Sequence, residues 1–360
     1  PDVTVIKITA YRLASNSKVI NALLNAVRNG KQVTVMMELR ARFDEEANLE
    51  WKTLLEDEGV KVLISMPNLK VHAKICLIKK RVNNHTLHYG FVSTGNLNEK
   101  TATLYGDHCL LTSDRHIMAD VNRMFNYLER WKDGMQFLKA CKTLIPCPTN
   151  MRKELHKLMA KEIKNAKDGK PASMLLKMNS LSDENLIENL YEAAKAGVEI
   201  KLIVRGIFCM FTENKKFIKP IQAISIVDEY LEHARVYIFH NDGNEKVFIS
   251  SADWMVRNID HRVEATCPIL DENIKRVLKT ILEIQLNDNV KARILDNELS
   301  NWYVRDKTKK RVRSQVDIYN YLFQQTLDIP PTLQPMPMEN TEIPDALEII
   351  NMQHETVGTR

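Results

Sequence analysis

The sequence lacks any long hydrophobic run. No uninterrupted apolar stretch in its 360 residues approaches the roughly 20 needed to span a bilayer as a helix, and the first residues show no signal-peptide pattern. No membrane span is therefore expected, and the location is read as cytoplasmic, with peripheral membrane attachment left open. Cysteine is sparse. The six present (Cys76, Cys109, Cys141, Cys147, Cys209, Cys267) form no CxxC pair and mostly lie in apolar runs, which argues against a zinc site or disulfide frame and for reduced core residues. Charge of one sign is also scarce. A net charge of +5 permits an anionic ligand without demanding nucleic acid, and no basic stripe interleaved with aromatics is present. The run from Arg305 to Arg313 reads as a solvated loop before a polyanion-binding strip.

What is there suffices for two domains. With 44% hydrophobic and 27% charged residues, a chain of this length can bury a sizeable core. The strongest internal signal is a duplication. Residues 19–30 pattern as an amphipathic helix ending at a glycine, followed by the β-branched run Gln32–Leu39; residues 186–197 and 198–205 repeat that order. A shift of 167 places Ile20, Leu23, Ala26 and Gly30 on Ile187, Leu190, Ala193 and Gly197. So long a period means a duplicated domain, not a solenoid.

Both halves alternate strands and helices, which predicts an α/β fold with a mixed sheet flanked by helices in each. The first half is expected over 1–140 and the second over 141–328, with the boundary near Ile145–Asn150, where two prolines precede an asparagine suited to capping. Residues 329–360 open with five prolines up to Pro344, so an extended tail is expected, with a short docked helix at Ala346–Ile350. Asp2–Thr9 already patterns as a strand. A chain that opens inside an element suggests a fragment of something longer.

The halves also share a chemical constellation. His72 lies in Leu69-Lys70-Val71-His72-Ala73-Lys74 and His233 in Tyr230-Leu231-Glu232-His233-Ala234-Arg235. Each His-x-cation is followed by a small polar turn, Ser93-Thr94-Gly95-Asn96 and then Ser250-Ser251-Ala252-Asp253. Eleven residues beyond each turn's last member stands a carboxylate, Asp107 and Glu264. Either copy alone would be dismissed as a surface or core-edge histidine. Two copies in one order point to a single active site made of two half-sites.

Those residue types suit phosphoryl transfer. Neutral imidazole is nucleophilic near pH 7, and a second histidine can serve as acid and base. Each ring needs a partner on its other nitrogen to fix its tautomer. The repeat suggests Asp107 for His72 and Glu264 for His233. Lys74, Arg235, Asn96 and Ser251 are then expected to hold the equatorial oxygens. Arg205, closing an apolar strand, must find anions or project into a cleft.

At these residues the chain resembles the phospholipase D superfamily, with its paired His-x-Lys…Asn motifs. The second copy departs from that pattern, with Arg235 for lysine and Asp253 for asparagine. Those departures resemble the bacterial polyphosphate kinase family, as do longer strings: Tyr11-Arg12-Leu13-Ala14, residues 38–45 and 69–74, Thr94-Gly95-Asn96-Leu97-Asn98, Leu104-Tyr105-Gly106-Asp107, Ile203-Val204-Arg205-Gly206, residues 231–235 and 250–255. The likeness extends to about Arg293. It implies two tandem phospholipase D-like domains, the first N-terminally truncated, in a family about twice this length. His72 would be the phosphorylated histidine and His233 the opposing acid/base that also contacts nucleotide. Tyr105 would lie near the base and Arg205 on phosphate. Arg12 and Arg42 would match the family's magnesium-site positions, acting through phosphate because guanidinium has no lone pair to donate. The implied ligands are ATP or ADP, Mg²⁺ and inorganic polyphosphate, with a homo-oligomer for the full-length protein. The cations Arg12, Arg42, Lys70, Lys74, Arg205 and Arg235 would serve a polyanion.

Taken from the residues, each has a plainer reading: Arg12 a surface charge, Arg42 a partner of Asp44 or Glu45, Tyr105 half-buried packing. Two other functions use the same features. One is a phospholipase-like or nuclease-like phosphodiesterase with water as acceptor; the other is a non-catalytic polyanion-binding module.

Overall fold

The computed structural model describes residues 1–11, 13–14, 16–38, 45–65, 69–306, 308 and 310–327. Arg12, Arg42, the string 39–44 and the proline-rich tail lie outside the described residues. In the first unit, β1 (Val3–Ala10), α1 (Lys18–Arg28), β2 (Gln32–Met37), α2 (Glu45–Asp57) and β3 (Lys61–Ile64) lead to a two-residue strand β4 (Lys70–Val71). The hairpin β5 (Lys74–Val82) and β6 (His85–Ser93), then α3 (Glu99–Ala102), β7 (Tyr105–Gly106), β8 (Cys109–Thr112), α4 (Arg115–Glu129) and α5 (Met135–Lys139), complete it.

The second unit follows the same plan. It runs β9 (Ile145–Pro146), α6 (Met151–Lys167), β10 (Ser173–Met178), α7 (Glu184–Ala196), β11 (Glu199–Val204), β12 (Gln222–Ile226) and β13 (Leu231–Glu232). Then come β14 (Arg235–Phe239), β15 (Lys246–Ser250), α8 (Val256–His261), β16 (Arg262–Val263), β17 (Ala265–Pro268), α9 (Glu272–Leu286), β18 (Ala292–Ile294) and α10 (Ser314–Leu327).

Local chemistry repeats with the plan. Ser17 and Asp183 cap α1 and α7 by accepting from the third amide on, and Asp114 and Asp271 do the same for α4 and α9. Gly197 closes α7 in the left-handed region at φ 92°, where an L side chain would be strained. The strands that follow, β2 and β11, are almost wholly buried, as strands covered on both faces must be.

The first sheet is ordered β3-β2-β1-β5-β6-β8; the second places β12-β11-β10-β14-β15-β17 in the same order and adds β18 and β9 at its edges. The six shared strands begin parallel and turn antiparallel at the centre of each sheet, and the added β18 pairs antiparallel with β12. One core is common to both. Ile75, Leu77 and Val92 of the first sheet and Val236, Ile238 and Ile249 of the second bury against residues of α4 and α9, so the sheets pack through their inner faces. The outer faces are closed separately, by α1 and α2 on one side and by α6 and α7 on the other. Four of the six cysteines are buried, while Cys109 and Cys209 are exposed, so the expectation of core cysteines holds for four; all six are free thiols.

Candidate active site

Two short ladders, each with one strand from each unit, build the site. β4 pairs in parallel with β16, and β13 pairs in parallel with β7. The residues just past each ladder are the expected site residues. The His72 and Ala73 amides both donate to the Val263 carbonyl at 2.9 Å. The His233 and Ala234 amides donate to the Gly106 carbonyl at 3.1 and 2.9 Å. The next residue after Val263 is Glu264, and the next after Gly106 is Asp107. The ladders therefore carry each acid across the unit boundary.

The pairing expected from the repeat is corrected by this geometry. His72 Nδ1 lies 2.9 and 3.0 Å from the Glu264 carboxylate, and His233 Nδ1 lies 2.9 Å from both Asp107 oxygens. Each histidine is thus served by the other half's acid. An ionised carboxylate only accepts, so both Nδ1 atoms carry the proton and both Nε2 atoms present a lone pair.

Each acid is gripped by the turn of its own half. The Thr94 hydroxyl donates to Asp107 at 2.6 Å; the Ser251 hydroxyl donates to Glu264, and the Asn258 amide adds a bond at 2.8 Å. Ser251, expected on phosphate oxygens, is committed to Glu264 instead. Close approach of acid to turn explains a glycine. A Cβ at Gly95 would stand 2.0 Å from Asp107 Oδ2. The second half pairs Ala252 with glutamate, whose extra methylene extends the carboxylate further from its own backbone.

The polar residues beyond the acids divide sharply. In the second half, Arg235 donates to Asp253 at 3.2 and 3.3 Å, to the His233 carbonyl at 2.8 Å, and to His233 Nε2 at 3.3 Å. Asp253 also accepts from the Asn179 and Ser180 amides. The first-half counterparts Lys74 and Asn96 do not pair. Lys74 Nζ and Asn96 Oδ1 are both buried, with no hydrogen-bond partner among the described residues. The Tyr11 ring stands edge-on to His72 at 4.9 Å and lies 5.4 Å from Lys74 Nζ.

Burial dominates the electrostatics. It pushes His72 down to about 4, with Lys74 and Arg235 adding to the effect and Glu264 opposing it. Burial likewise lowers His233, aided by Arg235 and opposed by Asp107. Lys74 is pushed down to about 7 by burial and by Arg235. Burial works against ionisation of Asp107 and Glu264, but their histidine partners and nearby cations hold both below the ordinary carboxylate range. At neutral pH the site thus holds two neutral imidazoles, each backed by an anion.

Arg205, at the end of β11, uses Nε for the Asn179 side chain at 2.6 Å and the Glu232 carbonyl at 2.8 Å, which leaves its terminal nitrogens for a ligand. The Tyr105 ring lies 5.1 Å from that of His233. Tyr105 also borders a pocket of about 260 Å³ with Asn96 and Asp107, and a larger, mainly apolar cavity of about 540 Å³ walled by α9 and α10. Ten of the thirteen expected site residues therefore converge; Lys70 lies in β4, two residues before His72, and Arg12 and Arg42 lie outside the described residues. Sequence reasoning missed Thr94, Asn258 and Tyr11. Thr94 had a signal, since a hydroxyl recurs at Ser251 in the second turn; Asn258 had none. Among the described residues no group of three His, Cys, Asp or Glu side chains could hold a metal ion, and no helix is long and apolar enough to cross a membrane.

Comparison with known proteins adds the following. Two family models match, "Polyphosphate kinase C-terminal domain 1" over residues 1–134 and "Polyphosphate kinase C-terminal domain 2" over residues 144–315. A polyphosphate kinase of Vibrio vulnificus is 47% identical over 322 residues, 89% of this chain and 45% of that protein. That of Escherichia coli is 46% identical over the same share of this chain and 46% of its own. The crystal structure of polyphosphate kinase from Porphyromonas gingivalis superposes with a TM-score of 0.84 at 43% identity, covering 91% of this chain and 50% of that one. The chain thus spans about half the length of the relatives it matches. Phosphatidylserine synthase from Haemophilus influenzae, at 10% identity and a TM-score of 0.55, shares the fold alone. The fold class is the expected α/β one: two tandem units, each a mixed sheet flanked by helices.

Proposed function

Because the chain belongs to the polyphosphate kinase family, we propose that its two half-sites form the centre that moves a phosphoryl group between ATP and the end of inorganic polyphosphate through a phosphorylated His72. The observation that carries this reading is the asymmetry of the two Nε2 lone pairs. That of His233 already accepts from Arg235, whereas that of His72 has no hydrogen-bond partner among the described residues, on a ring kept neutral by burial.

In this reading His72 Nε2 attacks the γ-phosphorus as the bond to the β,γ-bridging oxygen breaks and ADP leaves. The ring's Nδ1 proton stays on its bond to Glu264, which stabilises the positive charge the imidazole gains. A terminal oxygen of polyphosphate then attacks the phosphorus, and His72 leaves neutral. His233 works on the opposite side as base, its Nε2 taking the proton of a protonated terminal phosphate oxygen as that oxygen enters, and as acid in the reverse direction, returning the same proton as the oxygen departs. Lys74 and the Asn96 amide hold equatorial oxygens, where charge concentrates, and Arg205 holds the nucleotide phosphates. Mg²⁺, carried by the ATP it chelates, would neutralise charge on the phosphates.

The test is incubation with γ-labelled ATP and Mg²⁺. Acid-labile, base-stable label on the protein that vanishes in His72→Ala is expected. Absence of label from a full-length homologous enzyme as well would overturn the reading. Release of labelled inorganic phosphate with no polyphosphate formed would reassign the acceptor to water.

A further inference from the structure

Glu232 immediately precedes His233 and is buried, yet its first-half counterpart is the apolar Val71. Its carboxylate accepts from Lys177 Nζ at 2.6 Å, from the Gln285 amide at 2.6 Å and from the Gln315 amide at 2.9 Å. Those donors come from β10, α9 and α10. Its carbonyl accepts from Arg205 Nε at 2.8 Å. Glu232 sits in β13, which among the described residues pairs only with β7, the strand that carries Tyr105 and leads into Asp107. One residue thus joins the peptide that places His233, the arginine beside it, and two helices behind the site.

We infer that Glu232, held by Gln315 and Gln285, is a positioning residue through which α10 and α9 set His233 and Arg205 without touching His72. A buried carboxylate with three donors is costly to disturb, so it fixes the two-residue strand more firmly than packing of a valine could. Among the described residues His72 is held by other elements: the buried Glu38 carboxylate, which also accepts from the Ser65 hydroxyl at 2.8 Å, takes the amide of the residue before it. That residue, Val71, packs in the core, and its amide lies 3.2 Å from Glu38. The identity of His233 as acid/base rests on the reading given above, but the placement of its ring does not.

The test uses the full chain labelled with ¹⁵N-histidine. Gln315→Leu should shift the His233 ring resonances while leaving those of His72 unmoved; Gln315→Asn, which withdraws the amide with little change of bulk, should give a smaller shift of the same sign. In a full-length enzyme carrying Gln315→Leu, kcat should fall and KM for ATP rise, with kcat/KM down by up to roughly a hundredfold. Unmoved His233 resonances in both variants, or equal shifts at His72 and His233, would overturn the inference. A merely structural role would lower the melting temperature without that selectivity. Since the spectra need no turnover, failure of the phosphoryl-transfer reading leaves this test intact.

Discussion

The two half-sites share their plan and differ in what they leave unfinished. In the second, Arg235 and Asp253 satisfy each other, and Arg235 also covers His233 Nε2. In the first, Lys74 and Asn96 keep buried polar atoms with no hydrogen-bond partner among the described residues, and His72 Nε2 is open. Burying an amine with no partner costs free energy that a fold does not accept without compensation, and an incoming anion supplies it. On the proposed function, the difference gives the halves distinct work: one receives an anion, the other is already closed around its own charges.

The sharpest way to break this comparison is to remove each histidine in turn. In a full-length enzyme, His72→Ala should abolish the phosphoenzyme and cut turnover by roughly 10⁴-fold or more, the scale of losing a nucleophile. His233→Ala should lose turnover too, yet any label that forms should stay on His72. Label found on His233 in the wild type, by mapping the phosphorylated peptide, would reverse the assignment.

Neutralising the acids tests the crossing. Glu264→Gln should disturb the tautomer of His72, and Asp107→Asn that of His233, each with a rate loss of roughly 10²- to 10⁴-fold. Ring ¹⁵N shifts report which imidazole responds. A response of His72 to Asp107→Asn would restore the same-half pairing that the repeat suggests.

That pairing shows what the sequence can and cannot convey. The duplication was legible because helix, strand, histidine, turn and acid recur in order. The eleven-residue spacing has a counterpart in space, where Thr94 of one turn donates to Asp107 and Ser251 of the other to Glu264. Spacing along the chain is silent on which unit the acid faces, because β4–β16 and β7–β13 are tertiary pairings between two-residue strands too short to leave a pattern. Ser251 was misread for the same reason: a hydroxyl in a turn looks free until its partner is known. Glu232 carried no signal either, since a glutamate before a histidine reads as surface charge until Lys177, Gln285 and Gln315 converge on it.

A smaller effect should follow from the turn glycine. Gly95→Ala puts a Cβ into the Asp107 carboxylate, so stability should drop by about 1–3 kcal/mol in chemical denaturation, the usual cost of overpacking. Ala252→Gly in the other half forces no clash and should cost less. Equal losses would mean that the two turns hold their acids alike.

The finest test concerns Lys74. Its amine is pushed down to about 7 by burial, and an anion binds the ammonium form. Bound anion must then raise that value, because it favours the charged state. Affinity for tripolyphosphate should therefore be steady below about pH 7 and weaken above it, by up to roughly tenfold per pH unit until the complex itself titrates. The ligand's own ionisation pushes the other way, since phosphate gains charge as pH rises, so a net fall above pH 7 has to come from the protein. Arginine keeps its charge throughout this range. Lys74→Arg should flatten the profile between pH 7 and 9 in titration calorimetry, while Arg235→Lys, whose partner Asp253 remains beside it, should leave the fall in place. A wild-type affinity that is flat or rising over that interval would remove Lys74 from the anion contacts, and with it the distinction between an open and a closed half-site.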